Sequence, residues 1–77
     1  MSKKLRALKP REVIRALERG GFVVVRTNGS HSRLVHPDDH TRKTTIASHA
    51  SKDLPRGTLR DILEQARLSE DEFLALL

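Results

Sequence analysis

The residues whose types and spacing suit chemistry gather at Asn28-Gly29-Ser30-His31. Asn-Gly is strong turn chemistry, and a hydroxyl and an imidazole follow it directly. An imidazole has a reference pKa near ~6.5, so it can accept or donate a proton close to neutral pH. Arg26 and Arg33 flank the stretch and could hold an anion beside that imidazole. The remaining candidates for a proton or a ligand role are His36, His40, His49 and Lys52.

Positioning such a group falls to a short chain. Seventy-seven residues, 36% of them hydrophobic, give room for one domain, 1–77, around one thin core. Without cysteine there is neither a disulfide nor a thiolate metal cage, which suits a cytoplasmic location. No apolar run approaches the roughly 20 residues of a membrane span, and no signal core follows the basic N-terminus.

Charge is distributed unevenly. The first 35 residues carry nine Lys/Arg against Glu12 and Glu18, a balance of +7, whereas the remainder carries −2 within a total of +5. A basic surface of this kind points to a polyanion, and nucleic acid is the commonest one. With Phe22 and Phe73 as the only aromatics, stacking of unpaired bases on an aromatic platform is disfavoured, so backbone and shape contacts should dominate.

Periodicity supplies the elements. Residues 1–9 read as a basic arm, with Leu5 and Leu8 touching the body. Pro10 to Arg19 reads as a helix with Val13, Ile14, Ala16 and Leu17 facing inward, closed by a left-handed cap at Gly20-Gly21. Its outer arginines, Arg11, Arg15 and Arg19, suit either a phosphate rail or plain solvation. Phe22 to Thr27 and Ser30 to His36 read as a hairpin.

A two- or four-residue loop places Arg26 opposite His31, Val24 opposite Arg33 and Val25 opposite Ser32. One face then collects Val23, Val25 and Leu34 with Thr27, Ser30 and Ser32. The other collects Arg26, His31 and Arg33 with Phe22, Val24 and Val35. Burying two unpaired arginines is costly, so the arginine face is expected to be the open one.

A turn over Pro37-Asp38-Asp39-His40 leads to a third, antiparallel strand from Arg42 to Ala47. That course brings His49 toward His31, on the same face if Ile46 and Leu34 both point inward and the strand stays regular. A second helix opens near Asp53, a candidate cap, with Pro55 in its first turn. It buries Leu59, Ile62, Leu63 and Ala66 and ends near Arg67. Ser69 and Glu72 form a capping box for a short C-terminal helix within 69–77, with Leu68 and Phe73 as its hydrophobic staple. The apolar side of that helix either folds back on the core or docks a partner. His36 and His40 read as solvated turn groups. With Asp38 they lack a fourth ligand for a zinc site, so no metal is expected.

The fold class is therefore α+β: α-β-β-β-α with a three-stranded antiparallel sheet and a short C-terminal helix, the layout of a double-stranded-RNA-binding domain. Gly20-Gly21-Phe22 running into a valine strand, Gly29-Ser30-His31 opening the second strand, and Lys52-Asp53-Leu54-Pro55-Arg56-Gly57-Thr58-Leu59 opening the second helix carry a closer likeness. With these blocks in this order, residues 10 to 68 resemble the HicA toxins. The resemblance implies a toxin of a type II toxin–antitoxin system, an endoribonuclease that cleaves messenger RNA, has no cofactor, and is inhibited by a HicB-type antitoxin. The catalytic histidine of the family lies in the Gly-Ser-His triplet, hence His31. Ala50-Ser51 departs from the family pattern, and the tail after Ser69 is variable.

Metal-free RNA cleavage takes a proton from the ribose 2′-OH and gives one to the leaving 5′-oxygen, work that suits His31. Arg26, Ser30 and Arg33 are the expected RNA-binding neighbours. His49 is a candidate second proton carrier or phosphate contact, and Lys52 a phosphate contact near the second helix's N-terminus. The rival reading is a non-catalytic double-stranded-RNA-binding module of the same fold; a third is an inactive protein that only binds a partner.

Overall fold

A computed structural model describes residues 7–47 and 52–77. In order, the elements are α1 (Pro10–Arg19), β1 (Val23–Asn28), β2 (His31–His36), β3 (Asp39–Ala47), α2 (Arg56–Ala66) and α3 (Glu70–Leu74). The sheet runs β1-β2-β3 with both pairs antiparallel. This is the expected α-β-β-β-α layout, with helices on one face of the sheet and the other face open.

Local chemistry explains the helices. α1 starts with Pro10 at its first position, and the Lys9 N–H donates to the Glu12 carboxylate at 3.1 Å. At its end Gly21 adopts φ of 98°, which lets the Gly21 and Phe22 N–H groups donate to the Glu18 and Leu17 carbonyls, each at 3.0 Å. That pair of bonds is a Schellman cap, and buried Phe22 and Leu17 supply its apolar contact.

α2 buries Leu59, Ile62, Leu63 and Ala66, the expected stripe, but its cap differs. Pro55 occupies the N-cap and Asp53 lies two residues too early to reach the free N–H groups, so no side chain caps this helix. α3 carries the expected capping box: the Glu72 N–H donates to Ser69 Oγ at 3.0 Å and the Ser69 N–H to Glu72 Oε1 at 2.9 Å. The two hydrogen bonds to Ser69, backbone first, hold the Glu72 carboxyl below its ordinary value.

One hydrophobic cluster lies between the helices and the covered face of the sheet: Leu8, Val13, Ala16, Leu17, Phe22, Leu34, Ile46, Leu59, Ile62, Leu63, Ala66 and Phe73. Phe73 is fully buried, so α3 folds back on the core, and Arg19 Nη1 ties down the tail by donating to the Leu76 carbonyl at 2.9 Å. Leu8 is also fully buried and its carbonyl accepts from the Leu54 N–H at 2.8 Å. Residue 8 therefore belongs to the core; Leu5, also assigned to the arm, lies outside the described residues.

The hairpin register corrects the sequence reading in two ways. The loop is Gly29-Ser30, one position later than Asn28-Gly29, with Gly29 at φ of 62°, the position that a type II′ loop gives to glycine. Moving a two-residue loop by one position moves every pair by two: His31 faces Asn28, and Arg33 faces Arg26. An even shift preserves faces, so Arg26, His31 and Arg33 still lie together.

The second correction is a bulge between Val24 and Arg26, which pairs Val24 with Leu34 on the covered face. Val23 and Val25, expected inside, are instead 47% and 57% exposed. The other connection is tighter than predicted. Pro37-Asp38 alone forms the loop, and β3 begins at Asp39, with an irregularity between Val35 and His36.

Candidate functional site

His31 is the first residue of β2, delivered by the Gly29-Ser30 loop onto the open face. It is exposed and stands between Asn28 of β1 and Ala47 of β3, the residues directly opposite it. One step along the same face, Arg33 stands between Arg26 and Thr45. A further step on, Val35 stands between Val23 and Lys43. These three rows are about 6.7 Å apart, two residues of strand each.

Charge on this face is of one sign. Residues directly opposite in an antiparallel pair have Cβ atoms about 4.5–5.5 Å apart, and like charges so placed destabilise the sheet. Arg26 and Arg33 occupy such a pair, both exposed, with Lys43 on the diagonal. The rows contain no Asp or Glu, and an ion pair between Arg67 and Asp39, at 3.9 Å, lies elsewhere. An arrangement that costs the free protein stability is one that an anion would relieve.

The structure brings together His31, Arg26 and Arg33, with Ser30 half-buried in the adjoining turn. Lys52 does not join them on the sheet: it is exposed in the segment leading to α2 and falls four residues before that helix begins. His49 lies outside the described residues. The inward orientation of Leu34 and Ile46, on which its expected face depends, is observed, since both are fully buried. Lys43 and Thr45 share this face and are not among the residues expected from the sequence. Strand parity could have found them, because an inward Ile46 turns both of them outward.

His36 departs from expectation. It is half-buried, its Nδ1 accepts the Asp38 N–H at 3.2 Å, and its ring meets Phe22 edge-on with centroids 5.1 Å apart. The Arg42 guanidinium lies 5.2 Å from the centre of the same Phe22 ring and donates from Nε to the Ala66 carbonyl at 2.8 Å. The sequence predicts a turn over Pro37-Asp38-Asp39-His40 with His36 solvated beside it; β3 instead begins at Asp39, and His36 lies against Phe22. His40 is exposed. Among the described residues no three His, Asp or Glu side chains gather to hold a metal ion, and no helix is long and apolar enough to cross a membrane.

Comparison with known proteins adds the family. No curated protein matches the chain. The family described as the HicA toxin of bacterial toxin–antitoxin systems matches residues 10–68, a span that runs from the first residue of α1 past the end of α2 and includes the whole sheet. With that match over most of its length, the chain belongs to the HicA toxin family of bacterial toxin–antitoxin systems.

Proposed function

We propose that this chain is an endoribonuclease that cleaves messenger RNA on the open face of its sheet, with His31 as the catalytic acid/base. The observation that carries the reading is an exposed imidazole one row from a directly opposed Arg26–Arg33 pair on a face without carboxylates, in a member of a toxin family. In the proposed reaction His31 takes the proton of a ribose 2′-OH. The 2′-oxygen then bonds to the adjacent phosphorus, and the P–O5′ bond breaks as the 5′-oxygen acquires a proton. The products are a 2′,3′-cyclic phosphate and a 5′-hydroxyl.

Arg26 and Arg33 hold the phosphate and stabilise the negative charge that builds on its oxygens. Ser30 lies beside this group in the turn, and His49 is the candidate second proton carrier. Every step can be performed by imidazole and guanidinium, so neither a metal nor a cofactor is required.

A HicB-type antitoxin would neutralise the toxin by covering the cationic face and closing access to His31. The test is to incubate wild type and His31→Ala with a messenger RNA in excess EDTA. Wild type should cut and leave cyclic-phosphate ends, while His31→Ala should bind the RNA and leave it whole. Intact RNA with wild type, or equal cutting by both, would overturn the assignment; tight, salt-sensitive duplex binding without cutting would favour the binding module.

A further inference from the structure

Beside the proposed reaction centre, a depression of about 260 Å³ is lined by Arg33, Lys43, Thr44, Thr45 and Gln65. It wraps the edge of β3, with Arg33, Lys43 and Thr45 on the open face and Thr44 and Gln65 on the helix side. We infer that this depression is a phosphate subsite, in which Lys43 and Arg33 hold the backbone of a single RNA strand next to the phosphate at His31. The inference rests on the proposed RNA-cleaving function and adds to it the path of the substrate.

The lining favours phosphate. It includes two cations and no carboxylate, and Thr45 adds an outward hydroxyl. Bases held out of a stack call for an aromatic platform, and neither aromatic can provide one, because Phe22 is 3% exposed and Phe73 fully buried. The Thr44 hydroxyl is committed to Gln65 Oε1 at 2.7 Å, which fixes the helix-side wall and withdraws that amide oxygen from repelling an anion.

Position supplies the rest. His31, Arg33 and Lys43 fall in three successive rows of the open face, each about 6.7 Å from the next. Such a step is comparable to the reach of one nucleotide in an extended strand. A scissile phosphate held by Arg26 and Arg33 beside His31 therefore places its neighbour one row on, over Lys43 and the depression. Lys43, diagonal to Arg33 and on an edge strand, meets that neighbour from the opposite side to Arg26. Lys43 is exposed and, among the described residues, lies outside the hydrophobic cluster.

The test uses binding, so that it stands whether or not the protein cuts. His31→Ala is titrated with a single-stranded oligoribonucleotide over a range of salt, alone and combined with Lys43→Ala. The added change should weaken binding about fivefold at low salt, as expected at the upper end for an exposed ion pair. It should also reduce the slope of log K against log salt by about 0.7, one phosphate of a single strand. Thermal midpoints should agree between the two proteins, because Lys43 is exposed.

A second arm replaces single phosphates by neutral methylphosphonates. One position next to the scissile phosphate should cost the Lys43-containing protein the same factor, and cost the Lys43→Ala protein little more. Unchanged affinity and slope in the double variant would overturn the subsite, as would losses that multiply independently at every phosphate. Loss of antitoxin binding alone, with RNA binding intact, would also overturn it and assign Lys43 to the protein partner. Failure of wild type to cut RNA, with these binding results as expected, would remove the proposed catalysis and leave the subsite standing.

Discussion

His31 and His36 begin and end the same strand, and they are built into opposite surroundings. Their separation is odd, so the pleat sends them to different faces. At one end His36 accepts a backbone N–H, packs edge-on to Phe22 and adjoins Gly21, while Arg42 lies over the same phenyl ring. At the other end His31 stands exposed between the short side chains of Asn28 and Ala47, one row from two opposed arginines. The first end has spent its polar groups on the fold. The second leaves His31 exposed beside two exposed arginines that face each other directly.

The largest expected effect separates the two ends by activity. His31→Ala should lower kcat/KM for RNA by about 10²–10⁴, the contribution of a general acid or base, with an unchanged thermal midpoint. His36→Ala should cleave near the wild-type rate yet unfold more readily by about 1 kcal/mol, from the lost hydrogen bond and ring contact. Equal losses of activity in the two variants would erase the distinction.

Stability should answer in the opposite sense. Phe22→Ala empties a site that is 3% exposed and removes the partner of both His36 and Arg42, so denaturant unfolding should show a loss of about 3–5 kcal/mol. Arg26→Ala, on the open face, should leave stability unchanged or raise it slightly by relieving the Arg26–Arg33 repulsion, while weakening RNA binding.

Gly21→Ala comes next in size. A side chain at φ of 98° costs about 1–2 kcal/mol, and its Cβ would sit 3.1 Å from His36 Nε2. Combining it with His36→Ala should remove the steric part and leave the backbone part. Strict additivity in denaturant melts would show that the ring is not what crowds Gly21.

These contrasts also explain which features were legible in the sequence. α1 emerges with its observed bounds because Pro10, the apolar stripe and the glycine pair all agree. The shared face of Arg26, His31 and Arg33 is legible too, since parity survives an error of two in register. The bulge at Val25 is not: three successive valines fit either face equally well, and only the packing of Leu34 against Val24 decides between them. The surroundings of His36 are not legible for a related reason, because Pro37-Asp38 signals a turn without stating its length. On the open face, His31 stands out by its own type and triplet, whereas Lys43 emerges only once the parity of the third strand is followed from Ile46.

The smallest effect concerns protons at the His36 end. Asp39, opposite His36, accepts from Thr41 Oγ1 at 2.6 Å and from the Thr41 N–H at 3.1 Å. The side-chain bond first, then the backbone bond, hold its carboxyl below the ordinary 3.8, with smaller help from Arg67 and Arg42. A carboxyl depressed in the folded state contributes stability that is fully present above its unfolded value and is lost as pH falls through the folded one. Wild type should therefore hold this contribution at neutral pH and lose it below 3.8. Asp39→Asn should melt slightly lower at neutral pH and show a shallower acid limb, the two curves converging as pH falls below 3.8. Arg33→Ala, at the other end, should keep the wild-type acid limb, because the open face carries no carboxylate to titrate. Parallel melting curves for wild type and Asp39→Asn throughout the acid range would mean that the Thr41 bonds do not distinguish the folded carboxylate from the unfolded one, and that the proton-linked stability of the protein lies elsewhere.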